Sequence, residues 1–137
     1  MLVIESLSPL VVENQLKLLS MQSLSTVTIG GLVIQNTSNL TSPMFFVDQS
    51  ELVVTSMKIN STGSTATLFE ILSESQLNAS NLHISNYRGS LFNIQDSVAE
   101  ISNSLIENIF FGQHSGIIRA QTATLVFSNL TIGKTCL

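Results

Sequence analysis

Residues 90–108 read SLFNIQDSVAEISNSLIEN. Apolar and polar residues alternate in beats of about three, and Asn, Asp or Ser fills the breaks between beats. Alternation with a period of two describes strands that bury one face, whereas helical segments need runs of about ten residues or more. No beat here is that long. Asn and Gly accept the left-handed backbone conformation at little cost, so breaks of this composition mark sharp bends between short strands.

The stretch has partners along the chain. VTIGGLVIQN (27–36), LVVTSMKINS (52–61), LNASNLHISN (77–86), AEISNSLIEN (99–108) and LVFSNLTIGK (125–134) share one template. Apolar or small residues occupy its first, third and eighth positions, and usually its sixth. The starting positions 27, 52, 77, 99 and 125 lie 25, 25, 22 and 26 residues apart. A second element keeps step: MFFVD (44–48), LFEIL (68–72), LFNIQ (91–95) and IIRAQ (117–121). All variation in length falls in the loop between the template and this element, as in a solenoid whose repeats touch only their neighbours.

The expected fold is therefore all-β, a parallel β-helix solenoid with 22–26 residues per coil and three short strands per coil. Val27, Ile29, Leu32 and Ile34 stack on Leu52, Val54, Met57 and Ile59. Leu77, Ala79, Leu82 and Ile84 follow, then Ala99, Ile101, Ser104 and Ile106. Phe45/Val47, Phe69/Ile71, Phe92/Ile94 and Ile118/Ala120 form a third wall. Asn81, Asn103 and Asn129 form an amide ladder at the strand spacing of about 4.8 Å. A leucine-rich repeat requires a Leu-Asn signature and a helical segment that this period lacks. A β-sandwich requires hairpin turns in place of one long template.

These Ser/Asn-rich coils, SLFNIQDSVAEISNSLIEN above all, resemble the degenerate repeats of right-handed parallel β-helix surface proteins. The resemblance is to pectin-lyase-like folds, bacterial polymorphic membrane proteins and large ciliate surface proteins. It covers roughly residues 25–134 and implies a right-handed coil and a surface or extracellular setting, within chains longer than this one. It implies no particular activity.

Residues 1–24 read as an irregular first coil or N-terminal cap, with the β-helix coils spanning 25–137. SPLVVENQLKLLSMQ (8–22) echoes SPMFFVDQSELVVTSMK (42–58), which favours strand. Ser8-Pro9 equally suits a helix start, with Ser as cap and Pro in the first turn. Both readings stay open.

Composition narrows function. The chain has 137 residues, 44% hydrophobic and 10% charged, with Ser, Thr and Asn making up about a third, against about 25% charge in ordinary domains. A net charge of −4 with 5 Lys and Arg lacks the basic stripe that nucleic-acid binding needs. No run approaches the ~18 apolar residues of a transmembrane span. MLVIESLSPLVVENQ has no basic start and makes a poor signal peptide. Cys136 is the single cysteine, giving no disulfide framework or metal cluster.

Polysaccharide-cleaving enzymes need carboxylates brought together. The outward column of the third wall reads Phe46, Glu70, Asn93 and Arg119, one carboxylate with no partner expected beside it. Asp48 and Asp96 are expected at similar corners two coils apart, roughly 10 Å by strand spacing. His83, between inward Leu82 and Ile84, faces solvent. Ser115 beside His114 is not a triad, and no G-x-S-x-G elbow occurs. No catalytic residue, cofactor or metal is expected.

N-x-S/T acceptor sequences stand at Asn36, Asn39, Asn60, Asn78 and Asn129, candidate glycosylation sites if the chain is secreted by a eukaryote. The loop FFGQHSG (110–116) offers Phe110, Phe111, Gln113 and His114 as a candidate interaction loop, its aromatic pair either tucked over its own corner or exposed to a partner. TIGKTCL carries no evident cap, so a further coil or another copy would pair there. The expectation is a non-catalytic structural solenoid, extracellular or at a cell surface, that self-associates head to tail or continues in a longer chain. The alternative is an adhesin-like module contacting glycan or protein through its variable loop corner, and an enzyme fragment ranks third.

Overall fold

The structure, a computed structural model, describes residues 2–4, 10–13, 19–35, 42–60, 66–110 and 116–136. The described residues form an all-β parallel solenoid of about four turns, without helices. The coil nearest the N-terminus contains β1 (Leu2–Ile4), β2 (Leu10–Glu13) and β3 (Leu19–Met21). The next is β4 (Thr26–Ile29), β5 (Leu32–Gln35) and β6 (Phe45–Asp48). Then come β7 (Glu51–Val54), β8 (Met57–Asn60) and β9 (Phe69–Leu72), followed by β10 (Gln76–Ser80), β11 (Leu82–Ser85) and β12 (Phe92–Gln95). The last full turn is β13 (Val98–Glu107), β14 (Ile109–Phe110) and β15 (Ile118–Gln121). β16 (Thr124–Ile132) and β17 (Thr135–Cys136) complete the described chain.

Three walls run the length of the coil. β1, β4, β7 and β10 stack as the first, β2, β5, β8 and β11 as the second, and β3, β6, β9, β12 and β15 as the third. All the pairings are parallel. β13 and β16 run unbroken through the bend between the first two walls and so join them into one ten-stranded sheet.

The register matches the expected columns. Val27, Leu52, Leu77, Ala99 and Leu125 align, as do Ile34, Ile59, Ile84, Ile106 and Ile132. Burial alternates with them: β6 and β9 each bury their first and third residues and leave the others half-buried. Phe45, Phe69 and Phe92 stack in the third wall with centroids 4.8 and 5.3 Å apart and interplanar angles of 14° and 6°. Tyr87 is fully buried and its hydroxyl donates to the Ala66 carbonyl at 2.8 Å, so its polar tip is satisfied where the ring is not hydrated.

The described part of the first 21 residues is strand. Leu2 pairs with Val27, Leu10 with Leu32 and Leu19 with Phe45, so this segment follows the same ladders as the coils above it. Residues 10–13 and 19–21 are extended, not helical, and residues 8–9 and 14–18 lie outside the described residues. The echo between SPLVV and SPMFF carries strand character but not register, because Leu10–Glu13 joins the second wall and Phe45–Asp48 the third. The template is hidden in this coil because five residues separate β1 from β2 in sequence, whereas two, Gly30 and Gly31, separate β4 from β5.

Two of the corners are built from left-handed residues. At the bend between the first and second walls, Gly31, Asn81, Asn103 and Asn129 have φ of 69°, 56°, 49° and 50°. At the corner leading back to the first wall, Leu24, Gln49, Glu74, Asp96 and Thr122 have φ between 48° and 63°. Side chains on Cβ make this region costly, and Asn bears the cost better than most.

Candidate interaction faces and corner ladders

The most regular polar array is a serine ladder that the sequence reading passed over. At the corner before the first wall, the Ser25 amide donates to Ser50 Oγ at 3.2 Å, the Ser50 amide to Ser75 Oγ at 3.1 Å, and the Ser75 amide to Ser97 Oγ at 3.1 Å. Ser50, Ser75 and Ser97 are buried, and their hydroxyls donate onward to main-chain carbonyls: Ser50 to Asp48, Ser75 to Val47 and Leu72, Ser97 to Gln95. A buried hydroxyl is stable only when both its roles are met, and this arrangement meets them in successive coils. The signal was available: a serine stands two residues before the template starts at 27, 52, 77 and 99, and Ala123 replaces it before 125.

The structure brings Asn103 and Asn129 together on the bend, with Asn129 Nδ2 donating to Asn103 Oδ1 at 2.9 Å. Asn81 shares their corner and conformation, but its amide donates to the Thr55 carbonyl at 3.1 Å, because the coil below has Ser56 in the corresponding place. A second amide pair, unforeseen in sequence, joins Asn86 Nδ2 to Asn60 Oδ1 at 2.9 Å on the next corner. Asn81, Asn103 and Asn129, with His83, Leu105 and Thr131, line a shallow groove of about 400 Å³ along the bend.

Of the candidate glycosylation sites, Asn60 and Asn129 are exposed and Asn78 is half-buried on the first wall. Asn78 Nδ2 donates to Glu51 Oε1 at 3.2 Å, and its Oδ1 accepts from Gln76 Nε2 at 3.2 Å. Asn36 and Asn39 lie outside the described residues. So do Phe111, Gln113 and His114 of the candidate interaction loop. Phe110 belongs to β14 rather than to a free loop: its amide donates to the Tyr87 carbonyl at 2.9 Å, its carbonyl accepts from the Gly89 amide at 2.7 Å, and it pairs with Cys136. Its side chain remains 41% exposed.

His83 faces outward, where Nε2 meets Glu107 Oε1 at 2.9 Å across one coil. Glu70 has a neighbour that the sequence reading did not provide: Asn93 Nδ2 donates to its Oε1 at 3.1 Å, because the two stand in register on adjacent strands. Asp48 and Asp96 do not occupy equivalent positions. Asp48 is aligned with Leu72 and Gln95 at the end of the third wall, and Asp96 sits one residue further, on the left-handed corner. Asp48 Oδ1 is enclosed without a hydrogen-bond partner, while Ser50 Oγ donates to the Asp48 main-chain carbonyl. Among the described residues, no group of three or more His, Cys, Asp or Glu side chains is placed to hold a metal ion.

The fold defines this chain as a parallel β-solenoid. No family model, no curated protein and no solved structure matches it.

Proposed function

We propose that the chain is a non-catalytic structural β-solenoid of an extracellular or cell-surface assembly, serving as a rod or a self-assembling fibre or surface-layer segment. The observation that supports this reading best is the uniformity of the three parallel walls through the described coils. The outer faces carry side-chain amides bonded from coil to coil, Asn86 to Asn60, Asn129 to Asn103, Asn78 to Glu51 and Asn93 to Glu70, which suits a stiff, weakly charged shaft. The acceptor sequences at Asn60, Asn78 and Asn129 belong to the same reading, as sites for glycans on an outer surface.

Electron microscopy and sedimentation of the purified chain at several concentrations test this function. Filaments with an axial repeat of about 4.8 Å are the expected outcome. A monomer at every concentration overturns it and transfers function to the loop corner. That second reading, an adhesin-like face contacting glycan or protein, has one observation in its favour: the exposure of Phe110 beside Arg88 on the insertion corner.

A further inference from the structure

The charged side chains of the described coils are sorted by edge. The first and second walls make one ten-stranded sheet, entered at the serine corner and left at the corner that precedes the third wall. On the entry side stand Glu51, Glu74, Asp96 and Glu100, and residues 22–29, 49–54, 73–80, 96–101 and 122–127 contain no Lys, Arg or His. On the exit side stand Lys58, Arg88 and Lys134, while Glu107 is paired with His83. The sequence between the second and third walls at 36–41, 61–65 and 111–115 adds no Asp, Glu, Lys or Arg to that side.

Both sets are presented outward by the coil geometry. Glu74 and Asp96 hold the same left-handed corner position in successive coils, with φ of 63° and 49°, and the Glu74 amide donates to the Asp96 carbonyl at 2.7 Å. Glu51 opens β7 in register with Gln76, and Glu100 stands beside Asn78 on the outer face of the first wall. Shallow grooves of about 250 and 320 Å³ flank this corner, and Glu74 lines both. On the exit side Lys58 lies in register with His83, and Arg88 is bridged to Phe110. Lys134 follows at the same corner, where its carbonyl accepts from the Ile109 amide at 3.2 Å. Glu74, Asp96, Glu100, Lys58, Arg88 and Lys134 are all exposed, and among the described residues none of them forms an ion pair.

We infer that the two edges are a lateral docking pair: the carboxylate edge of one copy receives the cation edge of a second copy of this chain, side by side. This rests on the self-assembling, surface-layer form of the reading above and names its contact. Charge complementarity decides the occupant. Each copy carries a net charge of −4, so two copies repel in most orientations. Attraction is greatest where Lys58, Arg88 and Lys134 face Glu74, Asp96 and Glu100. Each set is spread over about three coil steps or fewer, up to roughly 15 Å, so the charges meet as rows rather than at one point. Exposed ion pairs are individually weak and are screened by salt, so the contact depends on concentration and loosens as salt rises. The edges lie on opposite sides of the sheet, so a copy can use both at once. Such a heterologous contact builds an open row instead of a closed pair.

Neutralising each edge in the full chain tests this. Glu74→Gln, Asp96→Asn and Glu100→Gln together remove three negative charges from a net −4, leaving −1. If net charge alone governed association, this variant would assemble more readily than the parent chain. The lateral joint requires the opposite. Lys58→Gln with Arg88→Gln neutralises the other edge and should weaken assembly too. Sedimentation at several concentrations is the readout. For the parent chain, the apparent dissociation constant should rise at least about ten-fold between roughly 0.02 M and 0.3 M salt. At the lower salt each variant should bind itself at least about ten-fold more weakly than the parent chain. Stronger association of the acid-edge variant overturns the joint. Assemblies indifferent to salt and to both variants also overturn it, and leave the rod reading standing. A monomer under every condition overturns both.

Discussion

Ile84 and His83 are adjacent in the chain and opposite in environment: Ile84 is fully buried and His83 reaches Glu107 on the outer face. Ile84→Asp sets an unpaired carboxylate in the apolar column, and a loss of several kcal/mol, on the order of 3–5, is expected in urea unfolding. His83→Asp loses an exposed pair and meets Glu107 with like charge, so the expected loss is about 1 kcal/mol or less. Equal tolerance of the two would contradict the register. Ser75 makes a finer test. Its hydroxyl receives the Ser50 amide and donates to the main chain while 2% exposed. Ser75→Ala leaves that amide without its acceptor and should cost about 1–3 kcal/mol, whereas serine-to-alanine changes on the outer walls should be nearly silent.

Among elements, the third wall owes its rigidity to the column of Phe45, Phe69 and Phe92. The middle ring is stacked on both sides, so Phe69→Ala opens a cavity that strands from two other coils line. The expected loss is about 3–5 kcal/mol, larger than for a terminal ring of the stack, and readable as a fall in the urea midpoint. Phe69→Ala combined with Phe45→Ala should be less than additive, since the first substitution already removes one of the two stacking contacts. In β13 and β16, with Ser102-Asn103 and Ser128-Asn129 at the corner, the ladder resumes directly after the left-handed residue.

For the whole molecule, the period, the three walls and the inward columns were legible in sequence because each rests on alternation that many coils repeat. What escaped notice had physical reasons. The first coil escaped because its first two strands are five residues apart in sequence, where the template has two. The serine ladder lay just outside the window that alternation defines. The Asn93–Glu70 and His83–Glu107 contacts required exact neighbours on adjacent strands, which a column of one-letter codes supplies only after the register is known. Asp48 and Asp96 looked equivalent because a shift of one residue at a corner leaves no trace in the pattern. The same repetition predicts a gradient of stability. Coils at the centre have neighbours on both sides and those at the ends on one, so amide exchange should be slowest in β7–β12 and fastest in β1–β3 and β16.

The offset of one coil between stacked partners also has a mechanical meaning. Val27 meets Leu52, Leu77 meets Ala99, and Ala99 meets Leu125, so each ladder rung ties residues one whole coil apart. A force applied to the two chain ends peels one coil at a time, and each peeled coil releases a length of backbone set by that offset. Coils of 22 to 26 residues, extended at about 3.4 Å per residue, release roughly 75–90 Å each. Single-molecule pulling should therefore give a stepped trace with nearly equal increments, in place of one cooperative rupture. A solenoid built this way would yield by paying out slack while its remaining turns stay folded.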